Sequence, residues 1–374
     1  MKKVLQIDNY MYPHIGGIEQ VTRDILNSIK EDYEVKIICF NHEKGTITDQ
    51  VDGIDVTRVN CQIKVSSQSI ALSYGKELKK IMNDYNPDIV IFHYPNPFVS
   101  HYLMKFLKNK KFKFIMWWHL DITKQKILGK FFKGQTNKLL KYADKVVATS
   151  PNYIEGSPFL SMNKDRCIVI PNCVGENMVD YNDKHKKISL ELKEKYKGKI
   201  ICFAFGRHVP YKGMTYLIKA SKYLDDNYVI LIGGKGPLTD SLKKEAVGDN
   251  KIEFLGRISD DDLKGYLLAC DIFCFPSITK NEAFGIGLAE AMYYKNAVVT
   301  FNIPGSGVNY VSINGETGIE VENGDSLKYA EAIKELANNK ELKEAYANNS
   351  KLRVEKLFTY EIFKENVKKL LEEI

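Results

Sequence analysis

The chain has 374 residues, of which 44% are hydrophobic and 27% charged, and its formal net charge is +7 at pH 7. This composition argues against a disordered chain, and the length predicts two domains, since a single domain usually holds roughly 100–200 residues. The apolar runs are shorter than the ~18 residues of a membrane-spanning helix, and the first of them ends at Asp8, which argues against a signal peptide.

The first half of the chain alternates short apolar runs with amphipathic stretches, which is typical of parallel α/β layers. The predicted strands are 4–8, 33–40, 54–60, 88–94, 113–119, 145–150 and 167–171. The predicted helices are 17–31, 69–84, 97–109 and 122–142. We expect a first domain over residues 1–171.

The second half repeats this architecture with a different sequence. Residues 172–199 mix turn residues with a charged run and predict a linker with a short helix. The predicted strands that follow are 200–205, 227–232, 251–255, 272–276, 297–301 and 318–321, and the predicted closing helices are 325–338, 340–356 and 359–373. We expect a second domain over 200–356, a cleft between the domains, and a helical tail over 357–374 that packs back on an earlier domain.

A glycine pair follows the first predicted strand. Gly16 and Gly17 stand directly before a helix, where backbone N–H groups favour an anion. A plain turn that starts the helix explains the pair equally well. The fingerprint GxGxxG is absent after this strand, which argues against an NAD enzyme.

His119 ends the predicted strand KFIMWWH, at the sheet edge where open α/β sheets bind ligands. A histidine at this position could bond a sugar or a phosphate, or transfer a proton. The alternative is a histidine with a structural role, and the residue by itself does not decide between the two.

The second domain opens with a strand, a loop and a helix, in which Arg207 lies in the loop and Lys212 at the helix start. A cation there opposes the positive end of the helix dipole, and a diphosphate between the two side chains would remove that conflict. Two ordinary surface cations are the alternative. In the next loops, Gly234 and Gly236 could bring backbone close to a nucleotide, and Ile258 could lie against a nucleobase.

The segment ITKNEAFGIGLAEAM places Glu282 in a loop and Glu290 two turns further along a helix. Gly285 and Gly287, with Ile286 between them, leave the helix start open to a ligand. A diphosphate bound there would put Glu282 near a sugar and Glu290 near a ribose. Two solvent-facing glutamates are the alternative, which leaves the glycines unexplained.

Six segments of the chain together resemble the retaining GT-B glycosyltransferases of glycosyltransferase family four. They are YPHIGGIEQV, GRHVPYKG, GGKGP, FLGRISDDDL, EAFGIGLAEAM and INGETGIEVENGD. The resemblance implies a GT-B fold, in which an acceptor-binding Rossmann-like domain and a nucleotide-sugar-binding Rossmann-like domain face each other across a cleft. It also implies that the final helix returns to the N-terminal domain.

The resemblance implies a role for each candidate residue. The donor diphosphate would lie against Gly17, Arg207, Lys212, Gly285, Ile286 and Gly287. The nucleoside would lie against Gly234, Gly236, Ile258 and Glu290, the last of which would hold the ribose. The catalytic positions would be His119, facing the sugar and the acceptor, and Glu282, facing the transferred sugar.

Retention at the anomeric carbon is part of the same resemblance, with a donor phosphate oxygen taking the acceptor proton. No DxD-type pair stands at the end of a predicted strand, and the aspartates 260–262 of FLGRISDDD look like helix capping and first-turn charge rather than a metal site. We therefore expect no metal and no cofactor, and cationic side chains with helix termini would stabilise the leaving group. The chain departs from the family at Lys295-Asn296-Ala297, where a Gly-x-Pro turn is usual, and at Asn309, where many members have glutamate.

We therefore expect α-linked transfer of a hexosyl group from a UDP- or GDP-sugar to a glycan or lipid-linked acceptor in cell-surface polysaccharide synthesis. One alternative is a nucleotide-sugar epimerase or glycogen-synthase-like enzyme on the same fold. The other is a catalytically silent sugar-nucleotide-binding module, against which the set of Arg207, Lys212, Glu282 and Glu290 argues.

The residues from 105 to 145 form a basic segment, with twelve lysines against two aspartates. Its part ILGKFFKGQTNKLLKYADK predicts a helix with apolar and basic faces, suited to an anionic membrane surface. A solvated face is the alternative, and nucleic acid is not expected, because no nucleic-acid motif accompanies the charge.

The seven cysteines are odd in number and lie mostly in apolar runs, so we expect a cytoplasmic protein. With the basic segment, we expect it to be peripheral on the inner face of the membrane.

Overall fold

The computed structural model describes residues 1–14, 16–65, 68–122 and 129–374. The chain divides into two units, of which unit 1 combines residues 1–170 with 361–374 and unit 2 holds residues 171–360. The polypeptide therefore leaves unit 1 and returns to it after unit 2.

Unit 1 is built on a sheet whose order is β10-β9-β8-β7-β1-β2-β4-β3, parallel except for the pairing of β3 with β4. The strands of unit 1 are β1 Lys3–Ile7, β2 Glu34–Asn41, β3 Ile47–Val51, β4 Ile54–Asn60, β5 Ile63–Val65, β6 Gln68–Ile70, β7 Ile89–Tyr94, β8 Lys113–Trp118, β9 Lys145–Ala148 and β10 Cys167–Val169. Of these, β5 and β6 lie outside this sheet. The central strands are apolar because helices cover both faces of a parallel sheet, and every residue of β7 is buried.

Five α-helices accompany this sheet in the described part of residues 1–170. They are α1 Gly17–Ile29, α2 Tyr74–Tyr85, α3 Pro97–Leu107, α4 Gly129–Tyr142 and α5 Pro151–Gly156. The start of α3 shows the local reason for its position, because the Asn96 side chain accepts the backbone N–H of Val99 and a proline follows it.

Two short pairings were not expected from the sequence. β3 is an antiparallel edge strand, and β5 and β6 form a separate antiparallel ribbon. Residues 69 and 70, predicted as the start of a helix, belong to this ribbon, so α2 begins only at Tyr74.

Unit 2 is built on a fully parallel sheet of order β13-β12-β11-β14-β15-β16. Its strands are β11 Ile200–Phe205, β12 Tyr228–Gly233, β13 Ile252–Gly256, β14 Ile272–Phe275, β15 Ala297–Phe301 and β16 Gly318–Val321. Its helices are α6 Glu176–Val179, α7 Asp183–Lys195, α8 Met214–Ser221, α9 Thr239–Glu245, α10 Asp260–Ala269, α11 Ile286–Tyr293, α12 Val308–Val311, α13 Ser326–Asn338 and α14 Lys340–Leu357. The α/β class and the two parallel-sheet domains are thus confirmed.

Residues 172–199, expected to be a linker, lie within unit 2. Helix α7 starts from a capping box between Asn182 and His185, and it packs against α10. The His185 side chain also contacts Asp261 on α10, with 2.8 Å between Nε2 and Oδ1. The charged run that suggested a linker is therefore the solvent-facing side of a packed helix.

The final helix α15, Tyr360–Glu373, returns to unit 1. Its Phe363 ring lies 6.0 Å from the Trp117 ring on β8, and Lys368 forms an ion pair with Asp32 at 2.5 Å. Val367 is fully buried on the same helix. The returning helix that the resemblance implied is confirmed.

Candidate active site

The candidate residues of unit 2 follow the carboxyl ends of four neighbouring strands. Ile258 follows β13, Gly234 follows β12, Arg207 follows β11 and Glu282 follows β14. Parallel pairing puts these strand ends at one edge of the sheet. Strand β11 lies between β12 and β14, so the chain order reverses there, and open α/β sheets bind ligands at such switch points.

Lys212 and Glu282 meet at this switch point. The Lys212 Nζ atom lies 2.5 Å from Glu282 Oε2, and the two side chains are only 16% and 11% exposed. Ser277 Oγ donates to the same carboxylate oxygen at 3.1 Å. The backbone around Glu282 is held as well, because its N–H donates to Thr279 O at 3.0 Å. The pair is therefore a fixed, half-enclosed feature rather than two mobile surface charges.

The electrostatics of Lys212 follow from its surroundings. Burial by itself would lower the pKa of Lys212, but the nearby Glu282 carboxylate opposes this, and Glu290 adds to the effect, so the pKa is raised above its ordinary value. The ammonium group also lies 5.1 Å from the centre of the Phe275 ring. Lys212 is thus a permanent cation at the end of β11.

Arg207 is exposed, and within the described ranges it has no ion-pair partner. The loop that carries it is nevertheless anchored, because the buried His208 contacts Thr239 Oγ1 at 2.9 Å and Gly233 O at 3.4 Å. His208 was not among the site residues predicted from the sequence. An exposed arginine on an anchored loop can bind an anion without first breaking an internal contact.

Gly234 and Gly236 have a reason to be glycine that differs from the predicted one. A Cβ atom on Gly234, whose φ is +108°, would lie 1.9 Å from Gly206 O. A Cβ atom on Gly236 would lie 2.5 Å from His208 O. Both glycines therefore let the loop after β12 touch the loop after β11, and this contact explains them without a nucleotide.

Helix α11 begins at Ile286, after Gly285 in a left-handed conformation with φ +91°. A Cβ atom on Gly287 would lie 2.9 Å from the Phe205 ring, so this glycine seats the helix against the end of β11. The first N–H groups of a helix have no acceptor within it. The start of α11 thus offers backbone donors beside β11, while Glu290, in its second turn, acts electrostatically on Lys212.

Ile258 packs against the end of β12. A Cβ atom on Gly233 would lie 2.7 Å from Ile258 Cδ1, which shows how closely the two approach. Ile258 also lines an open groove of about 500 Å³, together with Leu192 and Lys195 of α7 and Tyr266 of α10. The predicted contact with a nucleobase stays a prediction.

His119 follows β8 in unit 1 and is 6% exposed. Its Nε2 atom lies 2.9 Å from Nδ1 of His93, and the rings are stacked 5.2 Å apart. The Nε2 atom of His93 in turn lies 3.0 Å from Oε1 of Gln6. Neither partner was predicted from the sequence, although a histidine inside the apolar strand IVIFHY was a visible signal.

Gly17 is the first residue of α1, as predicted, but the approach to this helix start already holds a carboxylate. A Cβ atom on Gly16 would lie 2.4 Å from Glu19 Oε2, and His14 Nδ1 lies 3.3 Å from Glu19 Oε1. Asp8, fully buried nearby, has a pKa raised by burial and then by the charge of Glu19. A phosphate at Gly17 would have to displace the Glu19 side chain.

The basic segment 105–145 lies partly outside the described residues, since Lys124 and Lys126 fall there and nothing is described of the Lys130 side chain. On α4, the lysines at 133, 138 and 141 are exposed, whereas Leu139 and Leu140 are buried. The apolar face of the described part of this helix is therefore used for packing in unit 1. Leu139 and Leu140 are therefore not available for the expected apolar contact with a membrane, and association through the basic face stays a prediction.

The described ranges contain neither a membrane-spanning helix nor a metal-binding cluster. Within 1–14, 16–65, 68–122 and 129–374, no helix combines the length and apolar character that crossing a bilayer requires. Nor does this part of the chain hold a group of three or more His, Cys, Asp or Glu residues arranged to hold a metal ion.

Comparison with known proteins matches both units. Residues 15–176 match the family described as Glycosyltransferase Family 4, and residues 186–353 match Glycosyl transferases group 1. The O-antigen chain mannosyltransferase C of Escherichia coli is 28% identical over 96% of this chain and 94% of its own length. The D-rhamnosyltransferase WbpZ of Pseudomonas aeruginosa is 28% identical over 94% of this chain and 90% of its own length.

A solved structure shares the fold. Anabaena HepE in complex with UDP and glucose superimposes with a TM-score of 0.80 at 17% identity, covering 100% of both chains. At this identity the likeness concerns the fold alone. With the two family matches, which fall in unit 1 and unit 2 in turn, the chain belongs to the GT-B glycosyltransferases with a Glycosyltransferase Family 4 domain followed by a group 1 domain.

Proposed function

We propose that this glycosyltransferase is a retaining, metal-independent hexosyltransferase. In this proposal, a UDP- or GDP-sugar is the donor, a glycan or lipid-linked glycan is the acceptor, and the product belongs to a cell-surface polysaccharide. The observation that carries the proposal is the Lys212–Glu282 pair at the switch point of unit 2, 2.5 Å between charged atoms. It sets a permanent cation beside a carboxylate, and these groups match a diphosphate and a sugar hydroxyl.

The leaving diphosphate is the group that most needs stabilisation in this reaction, since negative charge develops on it as the bond to the sugar breaks. Lys212 offers an ammonium group, Arg207 an exposed guanidinium, and the start of α11 backbone N–H donors. These three elements follow two adjacent strands, β11 and β14. A divalent ion would be redundant in such a setting, which supports metal independence.

Glu282 suits the transferred sugar because carboxylate oxygens accept hydrogen bonds from vicinal hydroxyl groups. Ser277 and Lys212 hold the carboxylate in place before any substrate arrives. Such preorganisation lowers the entropy lost on binding. Glu290, within helix α11, remains the proposed ribose ligand.

The sugar class is supported by the relatives. A mannosyltransferase and a D-rhamnosyltransferase each align over more than nine-tenths of this chain. D-Rhamnose is 6-deoxymannose, so the two sugars share the axial hydroxyl at C2. We therefore propose a donor sugar of the manno configuration, and both names support an acceptor in the synthesis of a cell-surface glycan.

Membrane association is a separate part of the proposal. Exposed lysines on α3 and α4 include Lys105, Lys133, Lys138 and Lys141, which suit the anionic headgroups of an inner leaflet. Because Leu139 and Leu140 of α4 are buried, attachment through the exposed lysines would be electrostatic and reversible.

Thermal-shift screening against UDP, GDP, GDP-mannose and UDP-glucose tests the donor first. A ligand at about 100 times its dissociation constant adds roughly 2.7 kcal/mol of stability. The nucleotide that stabilises the protein is then incubated as its sugar with and without a polyprenyl-linked glycan. Transfer only in the presence of acceptor supports the proposal, whereas a changed donor sugar without acceptor would identify an epimerase. Stabilisation by no nucleotide would overturn the proposal.

A further inference from the structure

Three buried polar side chains lie in a row across the central strands of the unit 1 sheet. Gln6, His93 and His119 come from β1, β7 and the end of β8, which are adjacent in the order β8-β7-β1. Gln6 and His93 are fully buried, and His119 is 6% exposed. A buried polar group is stable only when it is hydrogen-bonded, so this row needs a physical reason.

The register of the sheet explains the alignment. Gln6 pairs with Ile91 on β7, and His93 pairs with Trp117 on β8. Since side chains of paired residues share a face, Gln6, His93 and Trp117 lie on the same side of the sheet, under Phe363 of α15. His119 continues the row two residues beyond Trp117, at the carboxyl edge.

The contacts relate the protons along the row to the Gln6 amide. With its Oε1 atom toward His93, Gln6 accepts, so His93 Nε2 carries the proton across their 3.0 Å contact. His93 Nδ1 is then an acceptor, and His119 Nε2 donates to it across 2.9 Å, which leaves His119 Nδ1 without a proton. The opposite orientation of the amide would reverse every donor in the row, and the Gln6 Nε2 atom has no hydrogen-bond partner among the described residues.

Burial keeps this arrangement neutral. It lowers the pKa of His119 to about 3, and it lowers the pKa of His93 well below its usual range, with the neighbouring His119 adding to the effect. Neither ring therefore carries a second proton near neutral pH. The tautomer is set by the row and not by the solvent.

We propose that Gln6 and His93 are positioning residues that hold His119 in the tautomer whose Nδ1 accepts a hydrogen bond from a hydroxyl group of the substrate. The role of His119 rests on the proposed function, whereas the tautomer does not. Gln6 and His93 touch no substrate and act through His119. An acceptor nitrogen at this place selects a hydroxyl group over a carbonyl or an anion, because only the hydroxyl group can donate.

The tautomer is measured first, on the full protein without substrate. Nitrogen-15 NMR of histidine-labelled protein distinguishes protonated from unprotonated ring nitrogens, and His93→Phe and His119→Ala assign the signals among the seven histidines. We expect His119 to be protonated at Nε2 and unprotonated at Nδ1. Gln6→Met, which removes the terminal acceptor, should let both rings exchange between tautomers. A proton on His119 Nδ1 in the wild type would overturn the proposal.

Kinetics then tests the consequence. We expect His93→Phe to lower kcat tenfold or more with an unchanged KM for the donor, because the proposed nucleotide ligands Arg207, Lys212 and Glu290 lie in unit 2. His93→Asn, whose Oδ1 can still accept from His119, should recover most of the activity. Trp117→Phe is the matched control, since it is equally buried on the same face but outside the hydrogen-bonded row.

The two levels can fail separately. If the tautomer shifts in Gln6→Met and His93→Phe while kcat stays at the wild-type value, the positioning role is overturned. If His119→Ala itself retains full kcat, the placement of His119 at the substrate fails, and the role of the pair fails with it. Equal loss in Trp117→Phe would assign the effect to packing and also overturn the proposal.

Discussion

The ammonium group of Lys212 and the carboxylate of Glu282 are joined at 2.5 Å although they come from the loops after two different strands, β11 and β14. Each side chain is nearly enclosed, so each depends on the other for a counter-charge. A bound diphosphate would share Lys212 with Glu282 and so draw the two loops into one binding event. The following prediction starts from this pair.

Lys212→Met should weaken binding of the donor nucleotide by about 1.5–3 kcal/mol, the usual strength of a charge-assisted contact. It should also lower the melting temperature, because Glu282 loses its cation. Arg207→Met is the matched control: its side chain is exposed, so binding should weaken while the melting temperature stays unchanged. Calorimetric titration with GDP and UDP and thermal unfolding measure the two effects. Equal stability losses in both variants would contradict the prediction.

The two glutamates should separate kinetically. Glu282→Gln keeps the shape but removes the charge beside Lys212, and we expect kcat to fall at least tenfold with little change in nucleotide affinity. Glu290→Gln should instead raise the dissociation constant of the free nucleotide diphosphate. Steady-state kinetics with titration of the bare nucleotide distinguishes them. Identical profiles for the two variants would show that the assignment of sugar and ribose is wrong.

Activity should persist in EDTA. The cations that would balance the leaving diphosphate are Lys212 and Arg207. The pKa of Lys212 is raised, because the effect of the Glu282 carboxylate is larger than the opposing effect of burial. The measurement is the transfer rate in excess EDTA, then with magnesium or manganese added back. Loss of the rate in EDTA and its return with either ion would show that a metal carries the charge instead.

Attachment to membranes should depend on salt and on charge. The protein should co-sediment with vesicles that contain anionic lipid and not with neutral vesicles, since each well-placed lysine contributes about 1 kcal/mol. Replacing Lys105, Lys133, Lys138 and Lys141 by glutamate should abolish this, whereas replacing four exposed lysines of unit 2 should not. Binding to neutral vesicles, or to none at low salt, would identify a solvated face.

Stability should fall in acid through His119. Its folded-state pKa, lowered by burial to about 3, lies below its ordinary value of about 6.5, so below pH 6.5 the unfolded chain binds a proton that the folded chain does not. The stabilisation is complete above pH 6.5 and declines as the pH falls toward 3, by about 2 kcal/mol at pH 5. Urea unfolding at pH 7.5, 6 and 5 should show a shallower decline for His119→Asn. Parallel declines would contradict the prediction.

The elements with strong apolar patterns were predictable, and those that depend on distant contacts were not. Strands such as Ile200–Phe205 carry unbroken apolar runs, so their positions followed from the residues alone. The edge strand Ile47–Val51 is polar because one side faces solvent, and the pattern did not reveal it. Helix α7 looked like a linker because its charged face dominates its composition.

The candidate site was predictable as a set of residues but not as an arrangement. Strand ends and glycines located Arg207, Lys212 and Glu282, yet nothing in the chain order indicated that two of them form an ion pair. The glycines also have a reason that the chain order did not indicate, since the backbone of Gly206 lies too close to Gly234 for a side chain. His93 escaped notice because a histidine within an apolar strand carries no motif.

The return of α15 to unit 1 bears on the order in which the protein folds as it is synthesised. Domains usually fold in turn from the N-terminus. Here Phe363, which covers Trp117, leaves the ribosome after the whole of residues 171–360. Unit 2 is continuous and can be completed first, while the nascent unit 1 waits with the Trp117 side of its sheet uncovered. The N-terminal half of this chain is therefore the last to mature and the one most in need of a chaperone.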